Sequence, residues 1–196
     1  MMAQPWSAFR WIINPVPAVI SMLRGVNLGS RRIKMDALRD LYESLGLKDP
    51  QTYVASGNVV FQTKERDLAR LTARIEAAIE KTFGFSSDVL LRTAPEMKDV
   101  IARNPFAKRR DINPGKLLAV FLAADPGDDA RRTVRAIQAA PDELFIDGRE
   151  LYIYFPNGQA RPTLKFAQVD KAIKTAWTGR NWNSVTKLLE MAEALD

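Results

Sequence analysis

Apolar residues in the first half of the chain follow two kinds of spacing, one typical of strands and one typical of helices. Continuous apolar runs predict strands, and apolar residues three or four positions apart predict helices. The predicted elements are a strand at residues 17–24, a helix at 35–45, strands at 52–55 and 59–61, a helix from 68 to near 84, and a strand at 88–92. Ser56, Gly57 and Asn58 form the predicted tight turn between the two middle strands. The resulting order is β-α-β-β-α-β.

The second half of the chain repeats this order after a linking segment. Residues 95–103 predict a short helix, and residues 108–115 predict an exposed basic linker. The elements predicted after it are a strand at residues 117–123, a helix from 128 to about 140, strands at 144–146 and 151–155, a helix at 166–173, a strand at 176–178 and a closing helix at 183–195. The Asp147-Gly148 pair marks a hairpin turn.

Two copies of this order predict an α+β fold made of two tandem ferredoxin-like (βαββαβ) domains. We expect antiparallel sheets with helices on one face, plus a C-terminal helix. The predicted first domain spans residues 16–94, the linking helix and basic linker span 95–116, and the second domain spans 117–196. We interpret residues 1–15 as a poorly ordered N-terminal extension and not as a signal peptide, because polar residues interrupt their apolar stretch.

The composition excludes several kinds of chemistry. The chain has no cysteine and no histidine, which excludes disulfides, thiol nucleophiles, Ser-His triads and ordinary zinc sites. An enzyme of this composition would have to use carboxylates, lysine, tyrosine, hydroxyls or a Mg²⁺-type metal held by oxygen ligands. We expect no cofactor and no bound metal. No apolar run reaches the length of about 18 residues that spans a bilayer, so we expect no membrane partner and a cytoplasmic location.

The charge favours anionic partners. The formal net charge is +6 and the calculated pI is about 9.7, a balance that attracts phosphates, nucleic acid or acidic proteins. The alternative is that a modest positive charge only keeps the protein soluble.

Five segments of the sequence carry a family resemblance. They are residues 23–29, 52–61, 104–106, 154–158 and 178–188. With these segments the sequence resembles a bacterial family catalogued as domain of unknown function (DUF) 1697, over about residue 18 to the C-terminus. The resemblance implies a fold of two ferredoxin-like domains, and it implies no activity.

The loop at residues 24–34 is the first candidate binding site. Its glycines allow the backbone to approach a ligand closely, and four basic side chains precede a predicted helix, an arrangement suited to a phosphate or another anion. The candidate residues are Arg24, Gly25, Asn27, Gly29, Arg31, Arg32 and Lys34. The alternative is an ordinary connection from strand to helix, with solvated arginines.

The segment before the last helix is the second candidate. Arg180 and Lys187 flank the predicted helix start, Asn181 is a helix-capping type, and Trp182 offers a ring on which a base could stack. The alternative is a capped helix with Trp182 in the core.

The third candidate is a pair of tyrosines on one strand. Alternation places Leu151, Ile153 and Phe155 on one face, and Tyr152 and Tyr154 on the other. If the first face meets the helices, the tyrosines lie on an open sheet face, where related folds stack RNA bases. The alternatives are that the tyrosines pack the two domains together or form a dimer interface.

These features favour a non-enzymatic binding protein for an anionic partner, either a phosphate-bearing ligand or nucleic acid. One alternative is an enzyme that acts on a small phosphorylated or carboxylated metabolite in the cleft between the domains. A second alternative is a protein-interaction scaffold or homodimer.

Overall fold

A computed structural model describes residues 16–195 of the chain. The elements of the first half are β1 (Ala18–Leu23), α1 (Met35–Ser44), β2 (Lys48–Tyr53), β3 (Asn58–Gln62), α2 (Leu68–Phe83), β4 (Val89–Thr93) and α3 (Ala94–Ala102). The elements of the second half are a 3-10 helix (Pro114–Lys116), β5 (Leu117–Leu122), α4 (Gly127–Arg135), β6 (Glu143–Asp147), β7 (Glu150–Tyr154), α5 (Phe166–Ile173), β8 (Trp177–Asn181) and α6 (Trp182–Leu195). The interpretation of residues 1–15 as an extension lies outside the described residues.

The strands form two antiparallel sheets of four strands each. The strand orders are β2-β3-β1-β4 and β6-β7-β5-β8. In both sheets the first strand of the half pairs with the third and fourth, so β1 pairs with β3 and β4, and β5 pairs with β7 and β8. The predicted α+β class is confirmed at this level: two four-stranded antiparallel sheets with six helices in residues 16–195.

Both faces of each sheet are buried. On β1, Val19 and Leu23 pack with residues of α1 and α2, whereas Ile20 and Met22 point to the opposite face. That opposite face belongs to an apolar cluster shared by both sheets, α3 and α6. The expectation that Tyr152 and Tyr154 lie on an open sheet face is therefore wrong, because both belong to this cluster. β1 is apolar at nearly every position, a pattern typical of strands that are buried on both faces.

Three elements differ from the predictions by more than one residue. β2 begins at Lys48 and ends at Tyr53, so Val54 lies in the turn and not in a strand. β8 extends to Asn181 because its backbone pairs with β5, although Gly179 and Arg180 are weak strand formers. α4 ends at Arg135 and not near residue 140.

The division of the chain into domains at residues 16–94 and 117–196 stays a prediction. The helix α3, which we placed in the linking segment, packs against α6 from the end of the chain. Residues of both halves share one apolar cluster. Side chains that lie far apart in the sequence therefore meet at the junction.

Candidate anion-binding site

The loop between β1 and α1, residues 24–34, is held in place by Asn27. Its Nδ2 donates to the carbonyl oxygen of Ala55 at 2.8 Å, and its Oδ1 accepts from the backbone N–H of Ile33 at 2.9 Å. Gly25, Asn27 and Gly29 have φ values of 67°, 58° and 58°, in the left-handed region that glycine and asparagine adopt most readily. Asn27 therefore uses its amide to fix the loop against the hairpin between β2 and β3.

Two arginines of this loop lie against aromatic rings. Arg24 donates from Nη1 to Asp88 at 3.2 Å, and its guanidinium lies 5.6 Å from the centre of the Trp177 ring. The guanidinium of Arg31 lies 6.0 Å from the centre of the Phe85 ring. Such cation–π contacts orient an arginine without neutralising its charge.

The other two cations of the loop are exposed. Arg32 donates from Nε to the carbonyl oxygen of Gly29 at 3.1 Å, and Lys34 immediately precedes α1. Within residues 16–195, Arg31, Arg32 and Lys34 form no ion pair with a carboxylate. The structure thus brings three unpaired positive charges to one end of the first sheet.

A cavity of about 650 Å³ adjoins this loop. It lies between the loop, the second half of α2 and the segment that precedes β4. The predicted residues that line it are Arg24, Gly25 and Arg31, and facing them are the carboxylates of Glu76, Glu80 and Asp88. The other predicted residues of the loop do not line this cavity.

Arg180 is buried between the two sheets. Its Nη2 donates to the carbonyl oxygens of Leu23 at 2.8 Å and Ser56 at 3.1 Å, and its Nε donates to the side chain of Asn58. Its Nη1 donates to two acceptors on β8. All five N–H groups of the guanidinium are thus used inside the protein. Burial lowers the pKa of Arg180 to about 10, so the side chain stays charged at neutral pH.

The remaining predicted residues near α6 have structural contacts. Asn181 donates from Nδ2 to the carbonyl oxygen of Gly115 at 2.8 Å and accepts from the backbone N–H of Asn183 at 3.1 Å. Trp182 is buried, as the alternative interpretation expected. Lys187 donates to Glu190 at 2.9 Å on the same helix. None of these residues lies in the cavity beside the loop.

The two tyrosines of β7 belong to the core. The hydroxyl of Tyr152 donates to the carbonyl oxygen of Val100 at 2.8 Å, and that of Tyr154 donates to the carbonyl oxygen of Asp111 at 3.2 Å. Their relative exposures are 0% and 6%, so neither ring offers a surface to an RNA base. Their face of the sheet meets the other half of the chain and α6, which the alternation of residues could not indicate.

Sequence reasoning missed an ion-pair network at the junction of the halves, in which the Arg92–Glu150 pair is buried and Arg103, Arg149 and Glu96 are partly exposed. Glu150 accepts from Arg92 Nη2 at 3.1 Å and from Arg103 Nη2 at 3.0 Å, and Arg149 donates to Glu96 at 2.7 Å. Burial lowers the pKa of Arg92, and the charge of Glu150 opposes that shift. A signal was present in the sequence, because Arg92 follows the apolar residues Val89, Leu90 and Leu91 within one predicted strand, and a buried charge needs a partner.

Residues 16–195 hold no group of three or more carboxylates arranged to bind a metal ion. In the same part of the chain, none of the helices is long and apolar enough to cross a membrane.

The comparisons with known proteins concern family and fold. The family model described as protein of unknown function (DUF1697) matches residues 16–152. The structure is similar to that of the conserved bacterial protein SP0830 from Streptococcus pneumoniae, with a TM-score of 0.66 and 20% sequence identity, over 90% of this chain and 98% of that chain. A similarity at this identity shows the fold alone. No curated protein matches the chain.

The family match covers more than half of the chain and includes the loop at residues 24–34 and the hairpin beside it. It confirms the family resemblance over residues 16–152, which include the segments at 23–29, 52–61 and 104–106, whereas the segments at 154–158 and 178–188 lie beyond the matched residues. The chain belongs to the DUF1697 family of proteins of unknown function.

Proposed function

We propose that this protein is a non-enzymatic binding protein that takes an anionic partner at the loop of residues 24–34. One observation carries the proposal: Arg31, Arg32 and Lys34 are exposed on one short loop, and none of them pairs with a carboxylate within residues 16–195. Unpaired cations held close together attract phosphate groups, because each contact releases counterions from the ligand.

Buried charge beneath the loop adds to its positive potential. Arg180 donates to the carbonyl oxygen of Leu23, the residue directly before the loop, and no carboxylate contacts it within the described residues. A charge in a poorly solvated position is screened less by salt than an exposed one. Asn27 keeps the loop cations in one arrangement, which reduces the entropy lost when a ligand binds.

The partner class is a phosphate-bearing ligand or nucleic acid. We test it by fluorescence anisotropy with labelled single-stranded RNA and DNA oligomers at several salt concentrations. Removing two phosphate contacts should lower the slope of log affinity against log salt by about 1.4. The variant is the double substitution Arg31→Ala with Arg32→Ala.

A matched control removes the same charge elsewhere. Arg66 and Arg70 are exposed near the start of α2, at the other end of the sheet from the loop. Arg66→Ala with Arg70→Ala should leave both the affinity and the salt slope close to those of the unchanged protein. Equal weakening by both double variants would mean that net charge alone attracts the oligomer, and no weakening by the loop variant would contradict the proposal.

We also propose that each half is a ferredoxin-like unit. The order β-α-β-β-α-β in each half supports this assignment. The strand orders β2-β3-β1-β4 and β6-β7-β5-β8 support it further, because each sheet places the first and third strands of its half in the centre.

The alternatives find less support. A cavity of about 350 Å³ lies between the halves, but its Glu96, Arg149, Arg103 and Glu150 already pair with one another, which leaves few free groups for catalysis. A dimer through the β7 tyrosines would need rings that are buried within one chain. The cytoplasmic location stays a prediction.

A further inference from the structure

The cavity beside the loop of residues 24–34 has walls of opposite charge. Arg24 and Arg31 come from the loop, and Glu76 and Glu80 come from α2. Its volume of about 650 Å³ matches the size of pockets that hold small molecules. The cavity is therefore large enough for a metabolite and carries charges of both signs.

Some of these charges already have partners in the protein. Arg24 pairs with Asp88 at 3.2 Å. Glu76 accepts from the backbone N–H of Val89 at 2.8 Å, which uses one of its two oxygens. Because these groups already have partners within the protein, they are less available to bind a ligand.

Two charges of opposite sign remain. Arg31 rests over the Phe85 ring and forms no ion pair within residues 16–195, and the carboxylate of Glu80 has no charged or hydrogen-bonding partner there. Gly25 lies beside this arginine, and its φ of 67° falls in the left-handed region that favours glycine. An unpaired guanidinium and an unpaired carboxylate thus line the same cavity.

A ligand with only one kind of charge would meet repulsion in this cavity. A simple anion would be attracted by Arg31 and repelled by Glu80, and a simple cation would experience the reverse. We propose that the cavity binds a small zwitterion, a ligand that carries an ammonium group and either a phosphate or a carboxylate group. The inference rests on the proposed function, because Arg31 supplies the anion contact in both.

The test compares probes that differ by one charged group. Isothermal titration calorimetry with phosphoethanolamine, ethyl phosphate and ethanolamine separates the contribution of the phosphate from that of the ammonium group. An additional contact with an exposed carboxylate should make phosphoethanolamine bind about three- to fivefold more tightly than ethyl phosphate. β-Alanine and propionate repeat the comparison with a carboxylate in place of the phosphate and show which anion the cavity accepts.

Charge-removing variants assign each contribution to a residue. Glu80→Gln should abolish the higher affinity for phosphoethanolamine than for ethyl phosphate. Arg31→Gln should lower the affinity for both of these ligands. Glu43→Gln serves as the matched control, because Glu43 is an exposed carboxylate of α1 that does not line the cavity. Thermal unfolding of each variant verifies that the fold is retained.

The outcomes separate this inference from the proposed function. Equal binding of phosphoethanolamine and ethyl phosphate, unchanged by Glu80→Gln, would overturn the zwitterion assignment and leave anion binding standing. Arg31-dependent binding of an RNA oligomer without binding of any small probe would also overturn the inference alone. The absence of all Arg31-dependent binding would contradict both.

Discussion

Replacing Glu150 with glutamine tests how the two halves of the chain are joined. Glu150 has a relative exposure of 4% and accepts hydrogen bonds from Arg92 of β4 and from Arg103, which follows α3. Glutamine keeps the size of the side chain but removes its charge. It also replaces one acceptor oxygen with an NH₂ donor, which would face a guanidinium.

The expected loss of stability follows from the burial of the pair. Arg92 is 2% exposed, so its charge would remain in the core without a carboxylate. Breaking a buried pair in this way costs about 3–5 kcal/mol. Arg92 retains the carbonyl oxygens of Leu91 and Leu122 as acceptors, and Arg103 is 40% exposed. We therefore expect the lower end, about 3 kcal/mol.

Equilibrium unfolding in urea at pH 7 measures this loss. Far-UV circular dichroism follows the whole chain, and tryptophan fluorescence reports on all four tryptophans, of which Trp177 and Trp182 lie in the second half. With a slope of about 2 kcal/mol per molar urea, a loss of 3 kcal/mol lowers the midpoint by about 1.5 M.

The control is Asp147→Asn, which removes an exposed partner of Arg103. This substitution should lower the free energy of unfolding by less than about 1 kcal/mol, because exposed ion pairs contribute no more than that to stability. Removing both buried charges with Arg92→Met and Glu150→Gln should recover part of the loss. If Glu150→Gln lowers the free energy of unfolding no more than Asp147→Asn does, the junction of the two halves does not depend on this buried pair.

Three further predictions concern other positions. Gly57→Ala should lower the free energy of unfolding more than the control Gly84→Ala. Both glycines have positive φ, but only at Gly57 would a new Cβ lie 2.8 Å from a neighbouring Cβ. This overlap should add a loss of about 1–3 kcal/mol, and thermal unfolding of the two variants measures the difference. Arg180→Met should lower the free energy of unfolding in urea by about 3 kcal/mol, because several buried acceptors lose their donors. Burial raises the pKa of Glu96, but the hydrogen bonds at the start of α3 and the charge of Arg149 outweigh it, and the net shift is downward. The contribution of this carboxylate to stability is therefore complete above its unfolded pKa of about 4.3 and is lost as the pH falls through the lower folded pKa. The difference in melting temperature between the unchanged protein and Glu96→Gln should be full at pH 7 and should shrink in acid.

Each of these predictions has a contrary result. Equal destabilisation by the two glycine variants would mean that the neighbours of Gly57 move aside without cost. A stable Arg180→Met variant would mean that water or other donors reach the acceptors of Arg180. A melting-temperature difference that does not change between pH 7 and strongly acidic pH would mean that the ionised form of Glu96 contributes nothing.

The order of the elements was predictable because local sequence signals agree with the fold. The apolar run of β1 and the helical spacing of α1 each lie within a few residues of the observed bounds. β8 was predicted too short because Gly179, Arg180 and Asn181 pair with β5 despite their low strand propensity. Long-range pairing therefore overrides local preference where a strand lacks apolar residues.

The candidate site was predictable only in part. The four cations of the loop are close in sequence, so the chain itself keeps them together. The carboxylates of Glu76 and Glu80 reach the same cavity from α2, and that of Asp88 reaches it from the segment before β4. No local spacing relates them to the loop. Likewise, alternation separated Tyr152 and Tyr154 from the apolar face of β7, but it could not tell that α6 and the other half cover them.

Anion binding at the loop of residues 24–34 is tested most directly by recording ¹H–¹⁵N correlation spectra during titration with a single-stranded RNA oligomer and, separately, with phosphoethanolamine. We expect salt-sensitive shift changes concentrated in the amides of this loop and of residues 84–88 beside it, and their loss in the Arg31→Ala, Arg32→Ala variant. Changes concentrated instead in the basic segment at residues 108–110, or no changes with either probe, would contradict the proposed site.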